Sequence, residues 1–241
     1  MIEFISMSIP LPRPIRKDIR YGDIGVNKMT MAVADVDTFF KENQDKIQFC
    51  AAPESVDLPG WGEHRFVYMR DPEDNLIELI SGPKIETKDT FGGVRWLGVS
   101  VTDLERSMAF YQSHAFDTVV IAPHQEYSGK IDAVSGVTGT TVRSCLLANS
   151  AGGGMLELYE MLKPKGRSIP LNAHWGDFGY LEICLECKDI FKVAEWSRRE
   201  GVFYLHNPAV AFDEKEVQAW FQYIYDPDGV PVESIAVMPK I

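Results

Sequence analysis

Four glutamates, each inside a short apolar stretch, recur along the chain at nearly constant intervals. They are separated by 75, 79 and 76 positions, and they are Glu3, Glu78, Glu157 and Glu233. An unpaired carboxylate is costly inside a strand that buries both faces, so one such residue could be accidental but four could not. The spacing predicts a unit of roughly 75 residues that repeats and keeps an acid facing a shared interior.

The third repeat shows the predicted layout of the unit. Residues 94–101 alternate between apolar and small or polar side chains, as a strand does. A capping-box pattern follows at residues 102–105, and then apolar residues at helical spacing. Three further strands end at Glu157. The second and fourth repeats read the same way, so the sequence predicts an α+β fold of βαβββ modules.

The domain boundaries follow from the linkers between repeats. We expect an N-terminal domain at residues 1–82, a linker at 83–92, and a C-terminal domain at 93–241 with modules at 93–162 and 176–238. The first module is represented by its last strand alone, residues 1–7. We therefore expect either that the record begins at an internal methionine or that a partner completes the module, and a homodimer is favoured.

Composition limits the classes of partner. The net charge is −11, without runs of basic residues, which argues against nucleic acid and membrane surfaces as partners. No stretch of 18 apolar residues and no secretory signal is visible, so the expected compartment is the cytoplasm. Cys184 and Cys187 lie three apart in a predicted strand and point to opposite faces, which disfavours a metal or redox pair.

Two segments carry a family resemblance. Residues 97–104 read LGVSVTDL and are followed by Phe110 and Tyr111, and residues 66–79 contain FVYMRDP and NLIEL. These segments resemble the vicinal oxygen chelate superfamily, which includes glyoxalase I, bleomycin-resistance proteins and extradiol dioxygenases. The resemblance implies modules paired into cupped mixed β-sheets with the helices outside. It also implies one divalent ion per cup, held by residues of the first and last strands of each module.

In the first cup, this resemblance places Lys28 at the first-strand position and Glu78 at the last-strand position. Neither position offers a histidine. An ammonium beside the carboxylate neutralises it without an ion, which predicts a degenerate, metal-free site. The alternative is that Lys28 points into solvent, since a buried lysine is rare unless it is paired.

In the second cup, the resemblance places Trp96, which cannot bind a metal, beside three carboxylates: Glu157, Glu182 and Glu233. Three carboxylates suit Mg²⁺ or Mn²⁺ better than Zn²⁺. Without an ion they would raise one another's pKa and supply a general acid and base. A third alternative is a purely structural role, in which they bind tyrosine hydroxyls or backbone amides.

The leading functional hypothesis is a lyase or isomerase that acts on a small oxygen-bearing molecule. The three carboxylates would move protons or hold the ion, Tyr223 would orient an oxygen, and Trp96 and Tyr180 would contact the substrate. The alternative is a metal-free binding protein similar to the bleomycin-resistance proteins, and the third possibility is an inactive paralogue with a structural role.

Iron-dependent ring cleavage is disfavoured. That chemistry needs two histidine ligands, and by the resemblance their positions are occupied by Trp96 and Glu182 in this chain. The five histidines are instead expected in loops or at helix ends. They are His64, His114, His124, His174 and His206.

Overall fold

The computed structural model describes residues 5, 7–9, 11–126, 129–170, 173–213 and 216–239. Glu3 and most of the predicted first strand at residues 1–7 lie outside the described residues. The chain divides into two compact units, 1–180 and 181–241. Each unit is built from the predicted βαβββ modules, two in the first and one in the second.

Within its described residues, the first unit contains eight strands and three helices. Its first module comprises β1 (Gly25–Val33), α1 (Val36–Asn43), β2 (Glu54–Leu58), β3 (Gly62–Arg70) and β4 (Leu76–Ser81). Its second module comprises β5 (Phe91–Val101), α2 (Leu104–His114), β6 (Thr118–Glu126), α3 (Asp132–Ser135), β7 (Thr141–Ala148) and β8 (Met155–Lys163).

One mixed sheet joins the two modules, in the order β2-β3-β4-β1-β5-β8-β7-β6. Within each module the first strand pairs parallel with the last, β1 with β4 and β5 with β8. Between the modules β1 pairs antiparallel with β5, with Met29 opposite Leu97. The sheet therefore has a pseudo-twofold axis at its centre, and the two modules line one shared concave face, which we call the cup.

This pairing corrects the predicted domain organisation. The expected linker at residues 83–92 lies inside the first unit, where it leads from β4 into β5 of the same sheet. The module at 93–162 pairs with the preceding module through β5 and β1. The physical reason is that the short connection from Ser81 to Phe91 brings β5 directly alongside β1, where it completes the sheet.

Each module's longer helix begins at an aspartate that caps it. The carboxylates of Asp35, Asp103 and Asp189 accept hydrogen bonds from backbone amides of the first helical turn, and all three residues have extended backbone dihedrals. This arrangement satisfies amide groups that a helix leaves unpaired at its start. The helix start predicted at residues 102–105 is therefore confirmed, but the capping residue is Asp103, which accepts from the Arg106 amide, and not Thr102.

The second unit is a single module. It consists of β9 (Ile183–Glu186), α4 (Ile190–Arg199), β10 (Ala209–Asp213), β11 (Val217–Tyr225) and β12 (Pro231–Pro239), and its sheet order is β10-β11-β12-β9. This order repeats that of each half of the first unit. Phe191 of α4 contacts Trp220 of β11, with ring centroids 5.2 Å apart, so the helix packs on the face that carries Trp220.

Two of the histidines differ from expectation. His64 lies within β3 and is buried, and His124 lies within β6. The rings hydrogen-bond to backbone carbonyls, His64 to Gly62 and Pro83 and His124 to Ala122. The expectation of loop positions was wrong for these two because an isolated histidine does not disturb the alternation of a strand. Among the described residues, no helix is both long and apolar enough to cross a membrane.

Candidate functional site

A buried lysine joins two of the repeated glutamates at the centre of the cup. Lys28 Nζ lies 2.6 Å from Glu78 Oε2 and 2.8 Å from Glu157 Oε2. Lys28 and Glu78 are fully buried, and Glu157 is only 5% exposed. The lysine thus points into the cup, which decides between the two alternatives that the sequence left open for it.

Strand register explains why these three side chains meet. Glu78 lies opposite Thr30 and Glu157 lies opposite Gly98, so each acid projects from the last strand of its module at the same level. Lys28 lies opposite Gly98 across the antiparallel centre of the sheet. A Cβ at Gly98 would lie 2.5 Å from Lys28 Cγ, so the lysine side chain occupies the space that a larger residue at 98 would need.

Neutral donors add to the coordination of the two carboxylates. Thr30 Oγ1 donates to Glu78 Oε2 at 2.7 Å, and the Tyr68 hydroxyl donates to Glu78 Oε1 at 2.8 Å. Trp96 Nε1 donates to Glu157 Oε2 at 2.9 Å. Both acids therefore accept hydrogen bonds in addition to the lysine, as buried charges require. Trp96 was predicted to stack on a ligand, and here its indole nitrogen also holds an acid.

The charges of the cluster favour a protonated lysine. Burial alone would lower the pKa of Lys28, but the attraction of the Glu157 and Glu78 carboxylates outweighs it and raises the pKa above its ordinary value. A lysine held in this state is a fixed cation and not an amine nucleophile. With both acids ionised, the cluster carries a net charge of −1.

Three tyrosines surround the ammonium group. Lys28 Nζ lies 5.8, 5.6 and 5.9 Å from the ring centroids of Tyr21, Tyr68 and Tyr159, within the range of cation–π attraction. Burial raises the pKa of the Tyr159 hydroxyl well above its usual value, so it stays protonated. Neither the glutamate repeat nor the helix and strand patterns single out Tyr21, Tyr68 or Tyr159. Tyr68 and Tyr159 lie in β3 and β8, whose alternating side chains are a recognisable strand pattern. Tyr21 lies outside any strand, so no periodic signal marks it.

A small, half-open recess borders Glu157. Its polar lining is Trp96, His124, Ser144, Cys145 and Glu157, and the remaining lining is aliphatic. Burial raises the pKa of the Cys145 thiol to about 12, so it is protonated at neutral pH and is a poor nucleophile. The recess suits a small, mostly apolar molecule better than covalent chemistry.

The predicted second site is divided between the two units. Glu157 and Trp96 belong to the first unit, whereas Glu182, Tyr223 and Glu233 belong to the second. Within the second unit Tyr223 lies directly opposite Glu233 on neighbouring strands, and the His206 ring lies 5.9 Å from that of Tyr223. Glu182 immediately precedes β9.

Tyr180, the other predicted substrate contact, has its hydroxyl 2.8 Å from the Leu76 carbonyl oxygen, to which it donates a hydrogen bond. Burial raises the pKa of this hydroxyl above its usual value. This hydrogen bond links Tyr180, the last residue of the first unit, to the start of β4.

The donor set of the cup does not fit a divalent ion. A protonated ammonium already lies between Glu78 and Glu157, within hydrogen-bonding distance of both. A metal ion there would meet the positive charge of Lys28 at close range, and no histidine is present in the cluster. Among the described residues, no group of three or more histidine, cysteine, aspartate or glutamate side chains is placed to hold a metal.

Comparison with solved structures identifies the fold. A variant of glyoxalase I from Zea mays aligns with a TM-score of 0.61 at 19% identity, over 95% of this chain and 71% of that one. Glyoxalase I from the same organism aligns with a TM-score of 0.58 at 18% identity, over 91% and 69%. No family model matches the sequence, and no curated protein sequence matches it.

The chain has a glyoxalase-like α+β fold, and the predicted resemblance to the vicinal oxygen chelate superfamily is confirmed at the level of the fold. Within that class it is similar to glyoxalase I. Identities below 20% establish the architecture alone, because the same fold supports different chemistries.

Proposed function

We propose that the chain is a glyoxalase-fold protein that binds a small oxygen-bearing organic molecule without a metal ion. The observation that carries this proposal is the position of Lys28, whose ammonium group forms ion pairs with both Glu78 and Glu157 at the centre of the cup. A fixed organic cation there performs the charge compensation that a bound ion would otherwise provide. This favours the metal-free binding protein over the metal-dependent enzyme.

The residues that line the recess next to Glu157 indicate which kind of molecule could bind there. Glu157 is the acidic group of the recess, and the rest of the lining is aromatic, aliphatic or weakly polar. An ionised carboxylate accepts hydrogen bonds but cannot donate them. The ligand is therefore a compact, largely apolar molecule that is neutral or cationic and presents an O–H or N–H group to Glu157.

Metal titration tests the proposal directly. Calorimetric titration of the purified protein with Mn²⁺, Mg²⁺ and Zn²⁺ should detect no stoichiometric site in the first unit. The matched variant is Lys28→His, which replaces the ammonium with a ligand nitrogen beside the same two carboxylates and should gain affinity for Zn²⁺. One tightly held ion per wild-type chain, lost in Glu78→Gln, would overturn the proposal.

Ligand screening tests the binding function. Compounds that raise the melting temperature should do so equally with and without a chelator, and less in Trp96→Phe, which loses the indole donor to Glu157. The compound should be recovered unchanged after incubation. Recovery of an altered compound would instead favour an enzyme.

Lyase or isomerase chemistry in the second unit is the second candidate function. The observation that favours it is the cross-strand pair of Tyr223 and Glu233, with His206 against the tyrosine ring. A carboxylate beside a phenol can move a proton to and from an oxygen-bearing substrate. Glu233→Gln should abolish turnover without unfolding the protein, and wild-type rates in that variant would eliminate this candidate.

We also propose that the chain forms a homodimer through β9. Among the described residues β9 pairs with β12 alone, so it is an edge strand, whereas the equivalent strands β1 and β5 pair with each other at the centre of the first unit. An edge strand presents unpaired backbone groups to a second strand. Antiparallel pairing of β9 with its copy would build the same eight-stranded arrangement from two second units.

The register of β1 and β5 gives a sharp test of this dimer. Lys28 lies opposite Gly98, and by module equivalence Glu182 of one copy lies opposite Cys184 of the other. Glu182→Cys should therefore form a disulfide-linked dimer with the native Cys184 under mild oxidation. The control Glu186→Cys should not. A monomer by light scattering, without cross-linking, would contradict this arrangement.

A further inference from the structure

One segment of the chain fills part of its own cup. Tyr21 is 2% exposed although it lies outside the sheet strands, in the segment that precedes β1. Its ring stacks on that of Tyr159 with centroids 4.8 Å apart and meets the Tyr68 ring edge-on at 5.6 Å. The same ring lies over the Lys28 ammonium group. A phenol thus sits against the central charge cluster.

The backbone around Tyr21 is fitted closely to the cup. The Gly22 amide donates to Asn27 Oδ1, which also accepts from the Tyr159 hydroxyl, and Ser100 Oγ donates to the Gly22 carbonyl. Gly22 has a φ of +92°, and a Cβ there would lie 2.4 Å from Met161 Cγ. Only glycine allows this close approach.

An ion pair at the rim holds the segment in place. Arg167 binds Asp23 through two parallel hydrogen bonds, Nε to Oδ1 at 2.6 Å and Nη2 to Oδ2 at 2.7 Å. Asp23 is 6% exposed, so this pair is largely shielded from water. Arg167 also binds the exposed Asp18, at 2.8 Å. Bidentate, partly buried pairs of this kind are among the stronger polar contacts in proteins.

We infer that Tyr21 occupies a ligand position of the cup, so that residues 16–24 act as a built-in competitor of a planar phenolic ligand. This inference rests on the proposed function, because it assigns a ligand class and a means of control to the same cup. The tyrosine ring, the flanking Tyr68 and Tyr159 rings and the Lys28 cation form a sandwich that fits one phenol. Binding then requires displacement of Tyr21, which the Asp23–Arg167 pair opposes.

Weakening the anchor should strengthen ligand binding. The state in which Tyr21 is displaced from the cup is the one that can bind the ligand. If this state is a minor population, any change that raises its population improves the apparent affinity by the same factor. The probe is p-cresol, which is the tyrosine side chain without its backbone. Its affinity, measured by NMR titration, should be about tenfold higher for Asp23→Asn than for wild type. The matched control Asp18→Asn removes the exposed partner of the same arginine and should bind p-cresol as wild type does.

Removing the competitor provides a second measurement. Tyr21→Ala should lower the melting temperature, and p-cresol at millimolar concentration should restore it by several degrees. The control Tyr111→Ala removes a buried tyrosine of α2 that lies outside the cup. p-Cresol should raise the melting temperature of this variant less than that of Tyr21→Ala. If Tyr21→Ala does not fold, the Asp23→Asn titration alone decides.

Two outcomes would overturn the inference: equal p-cresol affinity in wild type, Asp18→Asn and Asp23→Asn, or no restoration of a folded Tyr21→Ala. These outcomes are separable from failure of the proposed function. A stoichiometric metal ion at Glu78 and Glu157 would contradict the proposed function, whatever the affinity for p-cresol. If the protein binds no metal ion and its p-cresol affinity is unchanged by the Asp23 substitution, only the inference about Tyr21 fails.

Discussion

Lys28 and Glu157 belong to different βαβββ modules, and the 2.8 Å contact between Lys28 Nζ and Glu157 Oε2 joins the modules at the centre of their shared sheet. The second contact of the lysine, to Glu78, lies within its own module. The cluster therefore couples the pairing of the modules to the charge compensation of a buried acid. If the modules separate, Glu157 loses its cation, whereas Glu78 keeps it.

Loss of the lysine charge should be strongly destabilising. Lys28→Met should lower the free energy of unfolding by about 3–5 kcal/mol, because two carboxylates would remain buried without their cation. Chemical denaturation monitored by circular dichroism measures the change. Lys192→Met, at an exposed position, serves as the control and should change stability little. A Lys28→Met protein as stable as wild type would show that the cluster does not hold the sheet together.

A methyl group at position 98 should conflict first of all with the Lys28 side chain. The close atoms that a Cβ at Gly98 would meet are all in the Lys28 side chain. We expect Gly98→Ala to cost about 1–3 kcal/mol. A double-mutant cycle with Lys28→Met should give a coupling energy that offsets most of this cost. Additive effects in the double variant would contradict the assigned contact.

Acid should destabilise the protein through His114. Burial lowers the pKa of this histidine from 6.5 to about 4, so the unfolded chain takes up the proton first. The contribution of His114 to stability is complete above pH 6.5 and is lost as the pH falls toward 4. The expected loss is about 1–2 kcal/mol, since the ring keeps some contact with water.

The control for this pH effect is a comparison of two substitutions. Unfolding measured at intervals from pH 7 to pH 4 should show a shallower acid slope for His114→Gln than for wild type. His174→Gln, at an exposed position, should keep the wild-type slope. Equal slopes in all three proteins would assign the acid sensitivity to other groups.

The indole of Trp96 should stabilise the charged form of Glu157. Trp96→Phe keeps an aromatic ring in the cup but loses the hydrogen bond from Nε1, and we expect a cost of about 1–3 kcal/mol. Trp175→Phe, at a side chain 48% exposed, is the control. Thermal unfolding measures the stability of both variants. Equal melting temperatures of Trp96→Phe and Trp175→Phe would mean that water replaces the indole as the donor to Glu157.

The module architecture could be predicted because it repeats. The periodic glutamates, the alternation of the strands and the aspartate caps each carry a local physical signal, and the structure confirms the βαβββ unit in the described modules. The contact of Lys28 with Glu78 was also predictable, since first and last strands pair within a module and both residues lie on the cup face.

The pairing of modules and the interior of the cup could not be predicted in the same way. Repeats with the same internal pattern do not specify which pairs with which, so the contact of Glu157 with Lys28 across two modules was not predicted. Tyr21 was missed because it lies in an irregular segment. Its position depends on an ion pair across 144 residues, between Asp23 and Arg167, which no local pattern encodes.

The close packing of Gly98 against Lys28 gives a rule for finding other chains with this kind of cup. A lysine side chain has room at the centre of the cup only where the residue opposite it on the paired first strand is as small as glycine. Lysine at the first-strand position of one module, together with glycine two residues after that position in the other, is therefore a sequence signature of a cup with an internal cation.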